Sequence, residues 1–212
     1  MQTQRALEEQ RARIARNIHD DLGARATKLS LLAHHHPDSE AELQAHLDTL
    51  STTSRQIVEA LDETVWTVNP ANDSLVRLAG YLIHFAQDFF QSTGIHCRLD
   101  VPTDLPELSV TAEFRFNIFL LVKEALNNVL KHSGAQHVRL QMRTSTGQLQ
   151  LTIQDDGCGF NPDSVAQRNG LDNLKTRVMG LGGQITIQSS PGGGTSISIT
   201  APLTYAKAKA AQ

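Results

Sequence analysis

No apolar run in this 212-residue chain approaches the roughly 20 residues that a membrane-crossing helix needs. Nor do its opening residues show a basic end followed by a greasy core, so no secretory leader is expected from them. Cysteine is scarce. Cys97 and Cys158 form neither a disulfide framework nor a zinc-ligand spacing, which suits a reducing compartment and a cytoplasmic location. The net charge is −3 and the basic residues form no long run, so nucleic acid and anionic lipid are not expected as direct partners. There is no Walker A sequence and no internal repeat. Gly157-Cys158-Gly159 is not a dinucleotide fingerprint either, because Phe160, Asn161 and Pro162 follow where a third glycine should open a helix. Residues 4–16 read as the middle of a charged helix, so the chain is expected to continue a longer protein. A membrane would enter only through such an upstream region.

Hydrophobic residues make up 40% of the chain, enough for a sizeable core. Leu7, Ile14, Ile18, Leu22, Leu29 and Leu32 recur at spacings of three, four and seven, predicting one helix to about residue 33. His34, His35, His36 and Pro37 interrupt it. Asp38 and Ser39 are good caps for a second helix, whose stripe is Leu43, Leu47, Leu50, Ile57, Leu61, Val65 and Val68. Asn69-Pro70 ends it. A hairpin with one apolar stripe per helix is expected to pair with a second copy as a four-helix bundle, making a homodimer.

From residue 71 the pattern alternates. Helices are expected over 74–91, 111–131 and 171–181, with strands over 95–101, 138–143, 149–154, 184–188 and 196–201. The expected fold is α+β: an N-terminal helical hairpin over 1–70, an α/β sandwich with a mixed sheet over 71–204, and a solvated tail over 205–212.

Four elements in the second part carry candidate chemistry. On the helix 116–131, Glu124, Asn128 and Lys131 share a face at helical spacing, and Asn127 and Asn128 sit mid-helix at a propensity cost of about 0.5 kcal/mol each. Amide and carboxylate oxygens are hard ligands suited to Mg²⁺ that also touches phosphate. The strand Leu149, Leu151, Ile153 ends in Gln154-Asp155-Asp156-Gly157-Cys158-Gly159. A carboxylate at such a strand end can accept a hydrogen bond from the exocyclic amine of adenine, and glycines permit close backbone approach to a ligand. Gly170-Leu171-Asp172-Asn173-Leu174 opens a helix whose first N–H groups can hold phosphates. Gly192-Gly193-Gly194-Thr195 precedes the last strand. Each element has a plain alternative as a solvated face or an ordinary turn.

Their order is specific. Glu124-Ala-Leu-Asn-Asn128, Asp155-Asp-Gly-Cys-Gly159, Gly170-Leu-Asp-Asn-Leu174 and Gly192-Gly-Gly-Thr195 resemble the N, G1, G2 and G3 boxes of the GHKL (Bergerat-type) ATPase superfamily. Upstream, Arg13-Ile-Ala-Arg-Asn-Ile-His19-Asp20-Asp21-Leu-Gly23 resembles the phosphoacceptor box of two-component sensor histidine kinases of the subfamily that pairs with NarL/LuxR-type response regulators. Asn127-Asn128-Val-Leu-Lys131-His132-Ser133 and Leu174-Lys-Thr-Arg177-Val-Met-Gly-Leu-Gly-Gly183 point the same way.

The resemblance implies an ATP- and Mg²⁺-dependent kinase that phosphorylates its own His19 and passes the phosphoryl group to an aspartate of a response regulator. It implies catalytic roles for His19, Asp20 and Glu124, with Asp21 as the rival to Asp20. It further implies nucleotide contacts by Asn127, Asn128, Lys131, His132, Asp155, Gly157, Gly159, Gly170, Leu171, Gly194 and Thr195, with Asn128 as the Mg²⁺ ligand. Residues 161–169 would be the lid over ATP. In this subfamily a glutamine often stands five residues after the phosphoacceptor and assists dephosphorylation of the regulator; here Ala24 stands there, so strong phosphatase activity is not expected. Ala12, Ala15, Gly23 and Ala26 leave either a clearing for a docking domain or room for close helix packing. The three histidines 34–36 read as a solvated hairpin tip before a metal site. Two other readings stay open, a GHKL ATPase that phosphorylates no histidine and a dimeric scaffold that binds a regulator without ATP.

Overall fold

A computed structural model describes residues 22–34, 39–161 and 169–203 of the chain, which divides into two compact units, Met1–Asn72 and Asp73–Gln212. In the first unit, 22–33 are helical (α1) and Glu40–Val68 form a long helix (α2). Ser39 caps α2 as its residue type predicts: the side chain accepts a hydrogen bond from the Glu42 N–H, and Glu40 and Glu42 place negative charge at the positive end of the helix. Asn69 ends α2 in an extended conformation before a short 3₁₀ turn, Pro70–Asn72. Along α2, Leu43, Leu47, Leu61 and Val65 stay 45–65% exposed, so much of the predicted stripe is uncovered within the chain.

The second unit runs α3 (Leu75–Phe90), β1 (His96–Asp100), α4 (Ala112–Asn128), β2 (His137–Ser145), β3 (Gln148–Asp155), α5 (Asn169–Gly180), β4 (Gln184–Ser189) and β5 (Thr195–Pro202). Ser74 and Thr111 cap α3 and α4 through their hydroxyls. The sheet order is β1-β2-β3-β5-β4, with β1 and β2 parallel across the α4 crossover and every other pair antiparallel. Strand alternation then sorts the side chains. Val138, Leu140 and Met142, Leu149, Leu151 and Ile153, and Ile197, Ile199 and Ala201 are buried, while their neighbours Arg139, Gln150, Gln154 and Ser198 face solvent. The helices cover the apolar face: α4 buries Phe114, Ile118, Phe119, Leu121, Val122 and Leu126, and α5 buries Leu174 and Val178. Each such side chain contributes about 1.5–3 kcal/mol of hydrophobic stabilisation.

The uninterrupted helix expected over 111–131 is corrected. The α-helix ends at Asn128 and one wider π turn, Val129–Ser133, completes it before Gly134 adopts a left-handed conformation at φ 61°. Ser133 causes the widening locally, since its hydroxyl donates to the Val129 carbonyl at 2.7 Å and accepts from the Ala135 N–H at 3.0 Å.

Candidate functional site

Period-2 alternation along β3 puts Asp155 on the same side as Leu149, Leu151 and Ile153, where the strand runs out from under the helices. Its register partner on β5 is Thr195, and both border a cavity of about 640 Å³. From α4 and the π turn come Glu124, Asn128, His132 and Ser133; Gly170 and Leu171 of α5 form another wall. The cavity thus gathers side chains from all four sequence elements.

Asp155 is only 7% exposed, and burial raises its carboxyl above the ordinary value, partly offset by the Gly157 and Thr195 N–H groups that donate to it. The Gly157 bond is 2.9 Å long. Asp156 points the other way. Its carboxylate accepts from the N–H groups of Gln136 and His137 and from His137 Nδ1 at 2.8–2.9 Å, and the His137 backbone bond is the main cause that lowers its pKa. Asp156 therefore fastens the loop, leaving Asp155 to face the cavity.

The glycines act mainly on protein rather than on the cavity. A Cβ on Gly157 would collide with the Ser133 carbonyl, one on Gly159 with the Ser190 carbonyl, and one on Gly194 with the Asp155 carbonyl. Each glycine thus lets two backbone segments meet, and Gly159 and Gly194 also adopt positive φ, 56° and 69°. The Cys158 N–H donates to the Ser133 carbonyl at 2.7 Å, joining the loop to the π turn.

Two features mark the Asn128 end. Among the described residues its Nδ2 is buried and meets no acceptor, a polar atom that a ligand would satisfy. A Cβ on Gly170 would meet Glu124 Oε1 at 2.6 Å and Asn128 Oδ1 at 3.8 Å, so the first turn of α5 abuts both side chains.

Of the residues singled out from sequence, the cavity is bordered by Glu124, Asn128, His132, Asp155, Gly159, Gly170, Leu171 and Thr195. Asn127, Lys131, Gly157 and Gly194 do not border it. The π turn accounts for Lys131, which the α-helical spacing placed on the Asn128 face: the wider turn leaves Lys131 exposed and brings Ser133 to the cavity instead. Sequence reasoning missed Ala125, Val129, Ile153 and Ile197, whose apolar spacing is that of core, and Ser133, Cys158 and Phe160, whose only signal was adjacency to the motifs. His19, Asp20, Asp21, Ala12, Ala15, His35 and His36 lie outside the described residues, as do 162–168 of the expected lid, residue 204 and the expected tail 205–212. His34 is exposed, its Nδ1 2.7 Å from the Ser30 carbonyl.

Comparison with known proteins adds to this geometry. The model of the histidine kinase-, DNA gyrase B- and HSP90-like ATPase family matches residues 115–205, and a histidine kinase family model matches residues 10–73. Sensor protein VraS of Staphylococcus saprophyticus is 28% identical over 96% of the chain and 58% of that protein. The signal transduction histidine-protein kinase/phosphatase UhpB of Salmonella typhimurium is 30% identical over 93% of the chain and 40% of its own length. The chain therefore spans about half of these relatives. Among solved structures, the histidine kinase domain of the Erythrobacter litoralis EL346 blue-light activated histidine kinase superposes with a TM-score of 0.57 at 21% identity, covering 87% of this chain and 94% of that one.

Proposed function

This chain belongs to the two-component sensor histidine kinases, and from that premise we propose that it moves the γ-phosphoryl group of ATP onto His19 and then onto an aspartate of a NarL/LuxR-type response regulator. The supporting observation is the single cavity bordered by Glu124 and Asn128 from α4, Asp155 from β3 and the first turn of α5. In this reading adenine lies at the Asp155 end. The buried carboxylate accepts from the exocyclic amine, and guanine, which carries a carbonyl there, is refused. The triphosphate runs toward Gly170, where the first N–H groups and positive pole of α5 receive its charge. ShkA, a full-length protein solved in complex with AMPPNP, shares the fold, superposing on 94% of this chain with a TM-score of 0.55 at 18% identity.

Mg²⁺ fits the donor set. The Asn128 side-chain oxygen is a hard ligand and the Glu124 carboxylate borders the same cavity, while the buried, unpartnered Asn128 Nδ2 is a donor suited to a phosphate oxygen and not to the ion. Asn128 would hold the ion, which supplies neutralisation of the phosphate charge. A neutral His19 imidazole attacks the γ-phosphorus through one ring nitrogen, the bond to the β-phosphate oxygen breaks, and ADP leaves. Asp20, or its rival Asp21, takes the proton from the other ring nitrogen, and Glu124 assists from the ATP side.

The exposed stripe of α2 supports a homodimer, since Leu43, Leu47, Leu61 and Val65 gain cover from a second copy. Gly23 and Ala26 are exposed, and a Cβ on Gly23 meets nothing within 4 Å, which favours the clearing for a docking domain over close packing inside the chain. Among the described residues no helix is long and apolar enough to cross a membrane. We place this part of the protein in the cytoplasm, where ATP and a response regulator are found. Incubating the chain with γ-labelled ATP, then testing the label for acid lability and for transfer to a receiver domain, tests the function.

A further inference from the structure

The inward stripe of α5 consists of Gly170, Leu171, Leu174, Arg177 and Val178, and among these Arg177 alone carries a charge. Leu174 and Val178 are fully buried, so apolar packing already attaches the helix. A half-buried guanidinium between them is costly, and burial accordingly lowers its affinity for its proton, with the Glu124 charge acting in the opposite sense. Some return must justify it.

The geometry identifies that return. Arg177 Nη1 donates to Asn117 Oδ1 at 3.3 Å, and the Asn117 amide is itself oriented because its Nδ2 donates to the Glu113 carbonyl at 2.9 Å. At the other end of α5, Gly170 abuts Glu124 and Asn128. Seven positions separate Gly170 from Arg177, and seven separate Glu124 from Asn117. Both intervals are two helical turns, about 10.5 Å. The two helices therefore run antiparallel, with the Arg177–Asn117 hydrogen bond at one end of the span and Gly170 packed against Glu124 at the other. The far contact is half-buried and away from the cavity, and the near one borders the cavity.

We propose that Arg177 is a positioning residue for phosphoryl transfer: held by Asn117, it fixes the axial register of α5 on α4, so that the first turn of α5 stands level with Asn128. The proposal rests on reading the cavity as the ATP site. The Arg177–Asn117 hydrogen bond adds a directional restraint to the apolar packing of Leu174 and Val178. Misplacement by about 1 Å is enough to cost on the order of 100-fold in rate.

The test uses the whole chain with Arg177→Gln, Arg177→Lys, Asn117→Ala and the Arg177→Gln/Asn117→Ala pair. Melting temperature, ADP affinity, and kcat and KM for His19 phosphorylation are measured for each. Arg177→Gln is expected to keep ADP affinity within about threefold and to lower kcat at saturating ATP at least tenfold. Arg177→Lys should recover only part of that loss, because an ammonium lacks the planar fork, and the pair should lose no more than Arg177→Gln alone. Should Arg177→Gln not fold, Asn117→Ala decides, with at least a threefold loss of kcat expected at unchanged ADP affinity. A kcat within twofold of wild type, or a fall in ADP affinity and melting temperature that accounts for the lost rate, overturns the proposal. Wild-type chain that binds no ADP would instead overturn the ATP-site reading beneath it.

Discussion

The Asp155 carbonyl lies against the α carbon of Gly194, so close that a methyl group there would overlap it. This contact joins the end of β3 to the turn before β5, and it holds the Asp155 carboxylate beside the Thr195 N–H that donates to it. The same turn contains Gly192, which also has positive φ, 77°, but open space where a Cβ would be.

That pair makes a controlled comparison. Gly192→Ala should cost about 1–2 kcal/mol of backbone strain and leave nucleotide affinity within twofold. Gly194→Ala carries the same strain plus the collision with Asp155, so thermal melts and nucleotide titration should show a larger loss of both. Equal effects would remove the structural meaning given to Gly194.

Asp155→Asn should separate stability from binding. Burial raises the carboxyl of Asp155, so the folded state holds that proton more readily than the unfolded chain, and this group's contribution to stability declines as pH rises through the unfolded and then the folded pKa. Asparagine removes the penalty and keeps an acceptor for Gly157 and Thr195, so the melting temperature at pH 7.5 (about the usual assay value) should hold or rise. Nucleotide affinity should fall at least tenfold. In wild type, affinity should weaken on acidification with a midpoint above the ordinary aspartate value, and the asparagine variant should lack that dependence.

Asp73 and Arg115 pair at 2.7 Å with the arginine side chain fully buried. Asp73→Ala removes this carboxylate from the buried cation and should destabilise the second unit by about 3–5 kcal/mol, measured by denaturant unfolding. Replacing both, as Asp73→Ala with Arg115→Leu, should cost less than the single change. A single-variant loss below about 1 kcal/mol would mean that water or other groups replace Asp73 freely.

Much of the site was legible because its residues obey short-range rules. Alternation along β3 placed Asp155, helical spacing placed Glu124 and Asn128 together, and Ser39, Ser74 and Thr111 stood where helices begin. What escaped depends on contacts distant in sequence or on a single side chain. The insertion of β5 between β3 and β4 leaves no local trace. The π turn arises from the Ser133 hydroxyl and turned Lys131 away from the face its number suggested. Arg115 drew no reading and Arg177 entered only as part of a motif, because their partners, Asp73 and Asn117, lie 42 and 60 positions away.

Ala24 is exposed on α1. With alanine lacking any group to orient a water, wild type should dephosphorylate its regulator slowly in the presence of ADP. Ala24→Gln should raise that rate at least fivefold without reducing His19 phosphorylation. Rapid phosphate removal by wild type would show that another residue performs this step.

The most direct measurement follows label from γ-³²P ATP into the wild-type chain and into His19→Gln (the isotope is the usual about 14-day tracer, and the rate scale is that of protein kinases). The account predicts acid-labile, alkali-stable phosphate on wild type and none on His19→Gln, with both proteins binding ADP equally. Label of the same stability on the variant, or none on a wild-type chain that binds ATP and Mg²⁺, would contradict it.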